Sequence, residues 1–221
     1  MTVALLTVNV VLDGAAVISD LDYLDLLVRA RDGAAVTFEE ADAADDRQAF
    51  IGIAQGLALI AAAIPFLMWF RRAYRNLGPL GASRLRFKPG WAVGGWFVPL
   101  LNAWRPKQIA NDIWRMSDPD LPPRLGAPNK DQPVARVLTL WWVFFLMSGF
   151  FYRVSFGPGG NRLEAAITAT RWTLAGDLFS MIAGISAILV VRALTLRQQR
   201  RAFALRIQRD DDPAAVQGGP G

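Results

Sequence analysis

The chain has 221 residues and a formal net charge of +5, and it contains neither cysteine nor histidine. Disulfides, thiol nucleophiles, thiolate or imidazole metal sites and histidine acid–base chemistry are therefore excluded. Hydrophobic residues make up 53% and mean hydropathy is +0.26, and the apolar residues fall in long blocks rather than on one stripe of each helix, which points to a bilayer.

The pI near 10.2 comes from arginines flanking those blocks. It reads as positive-inside anchoring and not as a nucleic-acid surface. Arginine greatly outnumbers lysine and alanine is abundant, as in a GC-rich bacterial coding sequence.

Residues 1–28 read as a first transmembrane helix interrupted by acids. At 100° per residue Asn9, Asp13 and Asp20 share one face, while Asp22 and Asp25 lie elsewhere. That stripe must face protein or water, because a lipid-facing carboxylate is costly. The segment has no basic n-region and no small-residue cleavage site, so it does not read as a signal peptide. Residues 29–47 form an acidic outer loop.

Residues 48–70 carry no charge over 23 positions, longer than the ~30 Å hydrocarbon core requires. This second transmembrane helix ends at Trp69 and the cluster Arg71, Arg72 and Arg75, and Gly78-Pro79 stops it.

Residues 71–136 form a basic loop. Within it, 90–104 is apolar but reaches only ~21 Å as a helix, and Gly94, Gly95 and Pro99 interrupt it. Basic residues on both flanks favour a re-entrant or interfacial segment, the other reading being a bent spanning helix. Gly90 and Gly94 have the small-xxx-small spacing that admits a close helix neighbour. Residues 106–117 read as an amphipathic helix suited to the headgroup plane or to a cap over the bundle, with Ile109, Ala110, Ile113, Trp114 and Met116 opposite Lys107, Gln108, Asn111, Asp112 and Arg115. The proline-rich stretch 118–133 reads as a linker.

Residues 137–156 are the third transmembrane helix, rich in aromatics, with the Trp141-Trp142 pair read as packing rather than ligand stacking. An outer loop, 157–171, leads to the fourth transmembrane helix, 172–196, whose only acid is Asp177. Arg192 to Arg209 read as a helical extension of that helix and Asp210 to Gly221 as a disordered end, with 197–221 the cytoplasmic tail.

The fold class is thus all-α: an integral membrane bundle of four transmembrane helices, with a short re-entrant or interfacial helix between the second and third. The loop 71–136 holds 12 basic residues and the tail from Arg192 six, against three in each of 29–47 and 153–171. This asymmetry places both termini and the middle loop inside, in a bacterial plasma membrane.

The run Phe66-x-x-Trp69 with Tyr74-Arg75-x-Leu77, then Lys88-Pro89-Gly90-Trp91-Ala92-Val93-Gly94-Gly95-Trp96-Phe97-Val98-Pro99, then Asn102, Pro106 and Trp114, resembles the bacterial membrane family catalogued as domain of unknown function 4328. Trp141-Trp142 and Arg197-Gln198-Gln199 are similar too, and the resemblance covers roughly residues 45–200. It implies membrane residence and a topology, but no reaction.

Two sets of residues carry functional expectations. The first is a surface for anionic lipid headgroups or a partner, comprising Arg71, Arg72, Arg75, Arg84, Arg86, Lys88, Trp91, Trp96, Trp104 and Trp114. The second is the intramembrane polar set Asn9, Asp13, Asp20 and Asp177, fit for a proton or cation relay, the other reading being a first helix only partly inserted with its acids in water. No phosphate loop, nucleophile motif, catalytic set, metal site or cofactor motif stands out. The expected activity is lipid or partner binding through 71–117, the alternative a small transporter or ion-coupled component. A membrane-protein partner or self-association is compatible with either.

Overall fold

A computed structural model describes residues 1–129, 131–156 and 162–210. Six α-helices follow in order: α1 (Thr2–Arg31), α2 (Phe38–Arg75), α3 (Trp91–Gly94), α4 (Arg105–Met116), α5 (Arg136–Ser155) and α6 (Arg162–Asp210). No strand occurs among the described residues, only an isolated bridge between Ala82 and Leu125. Helices α1, α2, α5 and α6 are long and apolar enough to cross a membrane. On α1 and α2 large apolar side chains face outward: Val11, Ile18, Leu57 and Met68 are each more than 60% exposed, as suits helices of this length and hydropathy in a bilayer.

The chain divides into two compact units, Met1–Pro65 with Leu140–Ile188, and Phe66–Thr139 with Leu189–Gly221. In the first, α1 and α2 run antiparallel. The contacts Asn9 to Ala58, Asp13 to Gln55 and Asp20 to Gln48 ascend on one helix as they descend on the other. Helix α6 presents Gly176, Ser180 and Gly184, four residues apart, to its neighbours. A Cβ at Gly176 would meet the Tyr152 ring at 3.0 Å, and one at Gly184 would meet Val10 at 2.7 Å. This small-residue stripe lets α5 and α1 approach closely. The spacing singled out in the sequence, Gly90 and Gly94, does no such thing, since nothing lies within 4 Å of a Cβ at either position. Phe151 stacks on Phe179 at 5.0 Å and on Trp172 at 5.7 Å, which fixes α5 against α6.

In the second unit, Phe66, Phe70, Tyr74 and Leu77 form one buried stripe at the end of α2 and beyond. Trp96 meets Phe66 and Phe70 edge-on at 5.7 and 6.1 Å. Segment 90–104 is no spanning helix: one turn at Trp91–Gly94 is followed by turns and a 3-10 turn at Leu101–Ala103, with Leu100 at φ 65°. The bent-helix alternative therefore falls. Helix α4 is not laid on an open surface either. Ile109, Ala110 and Ile113 are fully buried, and so is Asp112, which the helical wheel had placed on the polar side. A covered apolar face is a packing face, so α4 is packed within its own unit.

Two boundaries differ from those expected. Helix α2 begins at Phe38, well inside the stretch read as an outer loop, because Thr37 Oγ1 accepts the Glu40 N–H at 3.1 Å and caps it. Helix α6 begins at Arg162, inside the second outer loop, and continues to Asp210 along the helical extension expected beyond Arg192, while 211–221 lie outside the described residues. Arg201, in that extension, is fully buried.

The proline-rich stretch is also anchored rather than loose. Leu125 N donates to Gly81 O at 2.8 Å, and Ser83 N and Oγ both donate to Leu125 O. Gly81 sits at φ 105°, and a Cβ there would overlap the Pro123 carbonyl, so only glycine fits this crossing.

Candidate functional site

The first unit holds the most polar arrangement inside the apolar helices. The Asn9, Asp13 and Asp20 stripe on α1 turns inward, as its spacing predicted, and Asp13 and Asp20 are 6% and 2% exposed. Asn9 Nδ2 donates to Ala58 O at 3.0 Å and to Leu5 O at 3.1 Å, so it joins α1 to α2 through backbone and serves as structure.

Asp13 and Asp177 meet through Gln55. The Gln55 amide donates to Asp177 Oδ1 at 2.7 Å and to Asp13 Oδ1 at 3.1 Å. The Tyr152 hydroxyl donates to the same Asp177 oxygen at 2.6 Å. Ser180 Oγ donates to Asp13 Oδ2 at 2.9 Å. On the same face of α1, Gln48 donates to Asp20 Oδ1 at 3.0 Å. All four long helices thus contribute to this polar arrangement: three carboxyls held by two amides, a phenol and an alcohol.

Among the described residues, no lysine or arginine forms an ion pair with Asp13, Asp20 or Asp177. Arg47 donates to Ser19 Oγ at 3.0 Å and reaches Asp22 at 3.9 Å. Among the described residues no group of three acids is placed to hold a metal ion.

Residues 32–196 match the family described as Domain of unknown function (DUF4328). The chain belongs to the DUF4328 family. No curated protein and no solved structure matches it. The DUF4328 match takes in Gln48, Gln55, Tyr152, Asp177 and Ser180 and begins after Asp13 and Asp20, so five of these seven polar residues lie inside the domain and α1 lies before it.

The basic and aromatic set expected to meet lipid is divided in this DUF4328 chain. Arg71, Arg72, Arg75, Arg84, Arg86 and Lys88 are exposed. Trp104 is 46% exposed. Trp91 lies beneath Arg105, whose guanidinium is 5.3 Å from its ring and 4.1 Å from Phe87. Trp96 is committed to the Phe66–Phe70 cluster. Trp114 carries Arg197 on its face at 4.2 Å, and Arg197 donates to Trp114 O and to Asp118 at 2.6 Å. Trp141 and Trp142 are buried and pack edge-on at 5.4 Å.

Lys107, on α4, carries a clearly lowered amine. Burial, with the nearby charge of Arg115 behind it, brings its pKa down from 10.5 to about 8. Its acceptors are neutral, Asn111 Oδ1 at 2.9 Å and Thr139 Oγ1 at 3.2 Å. Between about pH 8 and 10.5 the unfolded chain binds a proton that the folded chain does not, so stability rises with pH across that window. Melting temperatures across this range should climb in the wild type, and the Lys107 contribution to that slope should vanish in Lys107→Met.

Sequence reasoning found the α1 stripe and Asp177 but missed Gln48, Gln55, Tyr152 and Ser180. A capping-like signal is absent for these four. What was available was helical arithmetic: Gln48 and Gln55 are seven apart, as are Asp13 and Asp20, so both pairs recur after two turns of their helices.

Proposed function

We propose that this membrane protein handles protons or small cations through Asp13, Asp20 and Asp177, as a small transporter or an ion-coupled component. The observation that carries this reading is the Gln55 amide bridging Asp13 and Asp177 while, among the described residues, no basic side chain pairs with any of the three acids. Ionised carboxylates buried without counter-charge cost several kcal/mol each. Such a cluster requires a mobile positive species, and intramembrane acids of this kind mark ion pathways. Asp177 is the central acceptor, Asp13 and Asp20 flank it, and Gln55, Tyr152 and Ser180 orient the carboxyl groups.

The arginine-rich loop 71–136 supports a cytoplasmic placement of that loop and of both termini in a bacterial plasma membrane. The exposed Phe97, Leu100 and Trp104, on the same segment as exposed Arg84, Arg86 and Lys88, favour a second role in seating that segment against anionic headgroups.

The test is flux. Protein reconstituted in liposomes enclosing a pH indicator is expected to dissipate an imposed gradient of protons, alone or in exchange for sodium or potassium. Asp177→Asn should reduce the rate at least tenfold. Wild-type vesicles as tight as empty ones under every gradient would remove the transport reading.

A further inference from the structure

Helix α6 runs out of its uncharged stretch with an apolar line still on it. That stretch closes at Val191, and Arg192 follows. Leu189, Leu196 and Phe203 stand seven residues apart and are 49%, 52% and 65% exposed, and Ile207, one turn further, is 44% exposed. Seven residues make two turns, so these side chains share one face. At ~1.5 Å per residue Phe203 lies ~18 Å beyond Val191 and Ile207 ~24 Å. The headgroup zone is only ~5–8 Å deep on either side of the hydrocarbon. Lipid therefore does not reach the outer half of the line. Single exposed apolar side chains are ordinary on a surface, whereas a row at heptad spacing is a seam for another helix.

Charge decides which helix. Arg192 and Arg206 lie three residues after Leu189 and Phe203, along one side of the line, and Arg200 lies along the other. All three are exposed, and among the described residues none of them is in an ion pair. No Asp or Glu occurs from Leu178 to Arg209. Two copies inserted in one membrane would run parallel and set Arg192 against Arg192 and Arg206 against Arg206 across the seam, which like charges oppose. We propose that the face from Leu189 to Ile207 docks an amphipathic helix of a partner protein, apolar at the same seven-residue spacing and carrying Asp or Glu on both flanks. A cavity of about 200 Å³ opens beside the line, walled by Trp114, Pro119, Ala193, Leu196, Arg197 and Arg200, and it takes one apolar anchor of that helix. The proposal stands apart from the transport reading and shares no residue with it.

The experiment sets the full chain, in nanodiscs of zwitterionic lipid, against a labelled synthetic peptide of about three heptads with Leu along the seam and Glu on its flanks. Fluorescence anisotropy should show saturable binding that weakens as salt is raised, and none to empty nanodiscs. A peptide with the same Leu and Glu in scrambled order, and one with Lys for Glu, should each bind at least about tenfold more weakly. Phe203→Ala with Ile207→Ala should weaken binding about tenfold, and Arg200→Glu with Arg206→Glu at least as much. These side chains are exposed, so the variants should keep the wild-type unfolding curve, and the peptide series on the wild type decides alone if one does not. No binding, equal binding of the scrambled peptide, or affinity unchanged in Phe203→Ala with Ile207→Ala would overturn the proposal. A dimer in nanodiscs that Phe203→Ala breaks would overturn it in favour of a second copy. Quenching of a fluorophore on Phe203→Cys by spin-labelled lipid chains would overturn it in favour of lipid.

Discussion

Replacing Gln55 with leucine is expected to destabilise the protein by about 3–5 kcal/mol, the scale of breaking a buried charged network by removing one partner. Both amide hydrogens of Gln55 serve carboxyl oxygens, at 2.7 and 3.1 Å, and leucine supplies neither. Hydrogen bonds between membrane helices average less than 1 kcal/mol in double-mutant cycles, because the unfolded chain in lipid finds other partners. That lower figure does not govern here. The groups left behind are carboxyls in the interior, and their desolvation dominates. The check is unfolding in detergent followed by tryptophan fluorescence. The loss should shrink when Gln55→Leu is made together with Asp13→Asn and Asp177→Asn, since neutral amides tolerate the missing donor better. An equal loss in both backgrounds would show that Gln55 acts through packing alone.

The second large effect belongs to Arg201. Its guanidinium donates to three backbone carbonyls, those of Leu80 at 3.2 Å, Pro122 at 2.6 Å and Leu121. It therefore ties the turn after α2 to the proline-rich stretch. Arg201→Met strips all three acceptors of a donor fixed in a planar fork, at an expected cost of about 3–5 kcal/mol. Arg201→Lys should recover only a minor part, because one ammonium on a flexible stem does not match three separated carbonyls. Limited proteolysis reads this directly. Cleavage within 118–133 should accelerate in both variants, more in Arg201→Met. Unchanged cleavage would mean that Gly81, Ser83 and Leu125 hold the stretch without Arg201.

The parts of this architecture legible in the sequence are those where one physical requirement dominates. An uncharged run such as 48–70 has to lie in lipid, and the Asn9–Asp13–Asp20 face has to turn away from it. Gln55 was invisible for the converse reason: a single amide in an uncharged run leaves no periodic trace until its partners on other helices are in place. Tyr152 was hidden among Phe150, Phe151 and Trp142, where only contact geometry separates a proton donor from a packing ring. The polar turns Phe38–Arg47 and Arg162–Arg171 were read as loops because charge content was weighed and capping was not, although Thr37-x-x-Glu40 was there to be used. Arg201 was counted only among the six basic residues of the tail. Burial, not composition, separates it from them.

The claim on which the rest depends is that the carboxyls of α1 and α6 meet inside the membrane bundle. The chain has no native cysteine, so paired substitutions can be cross-linked without background. Asp13→Cys with Ser180→Cys, at positions whose side chains are hydrogen-bonded at 2.9 Å, should form an intramolecular disulfide on mild oxidation of intact membranes. Val11→Cys, on a face that is 64% exposed, should not pair with Ser180→Cys. A folded protein that cross-links neither pair, or both equally, would contradict the convergence of these helices.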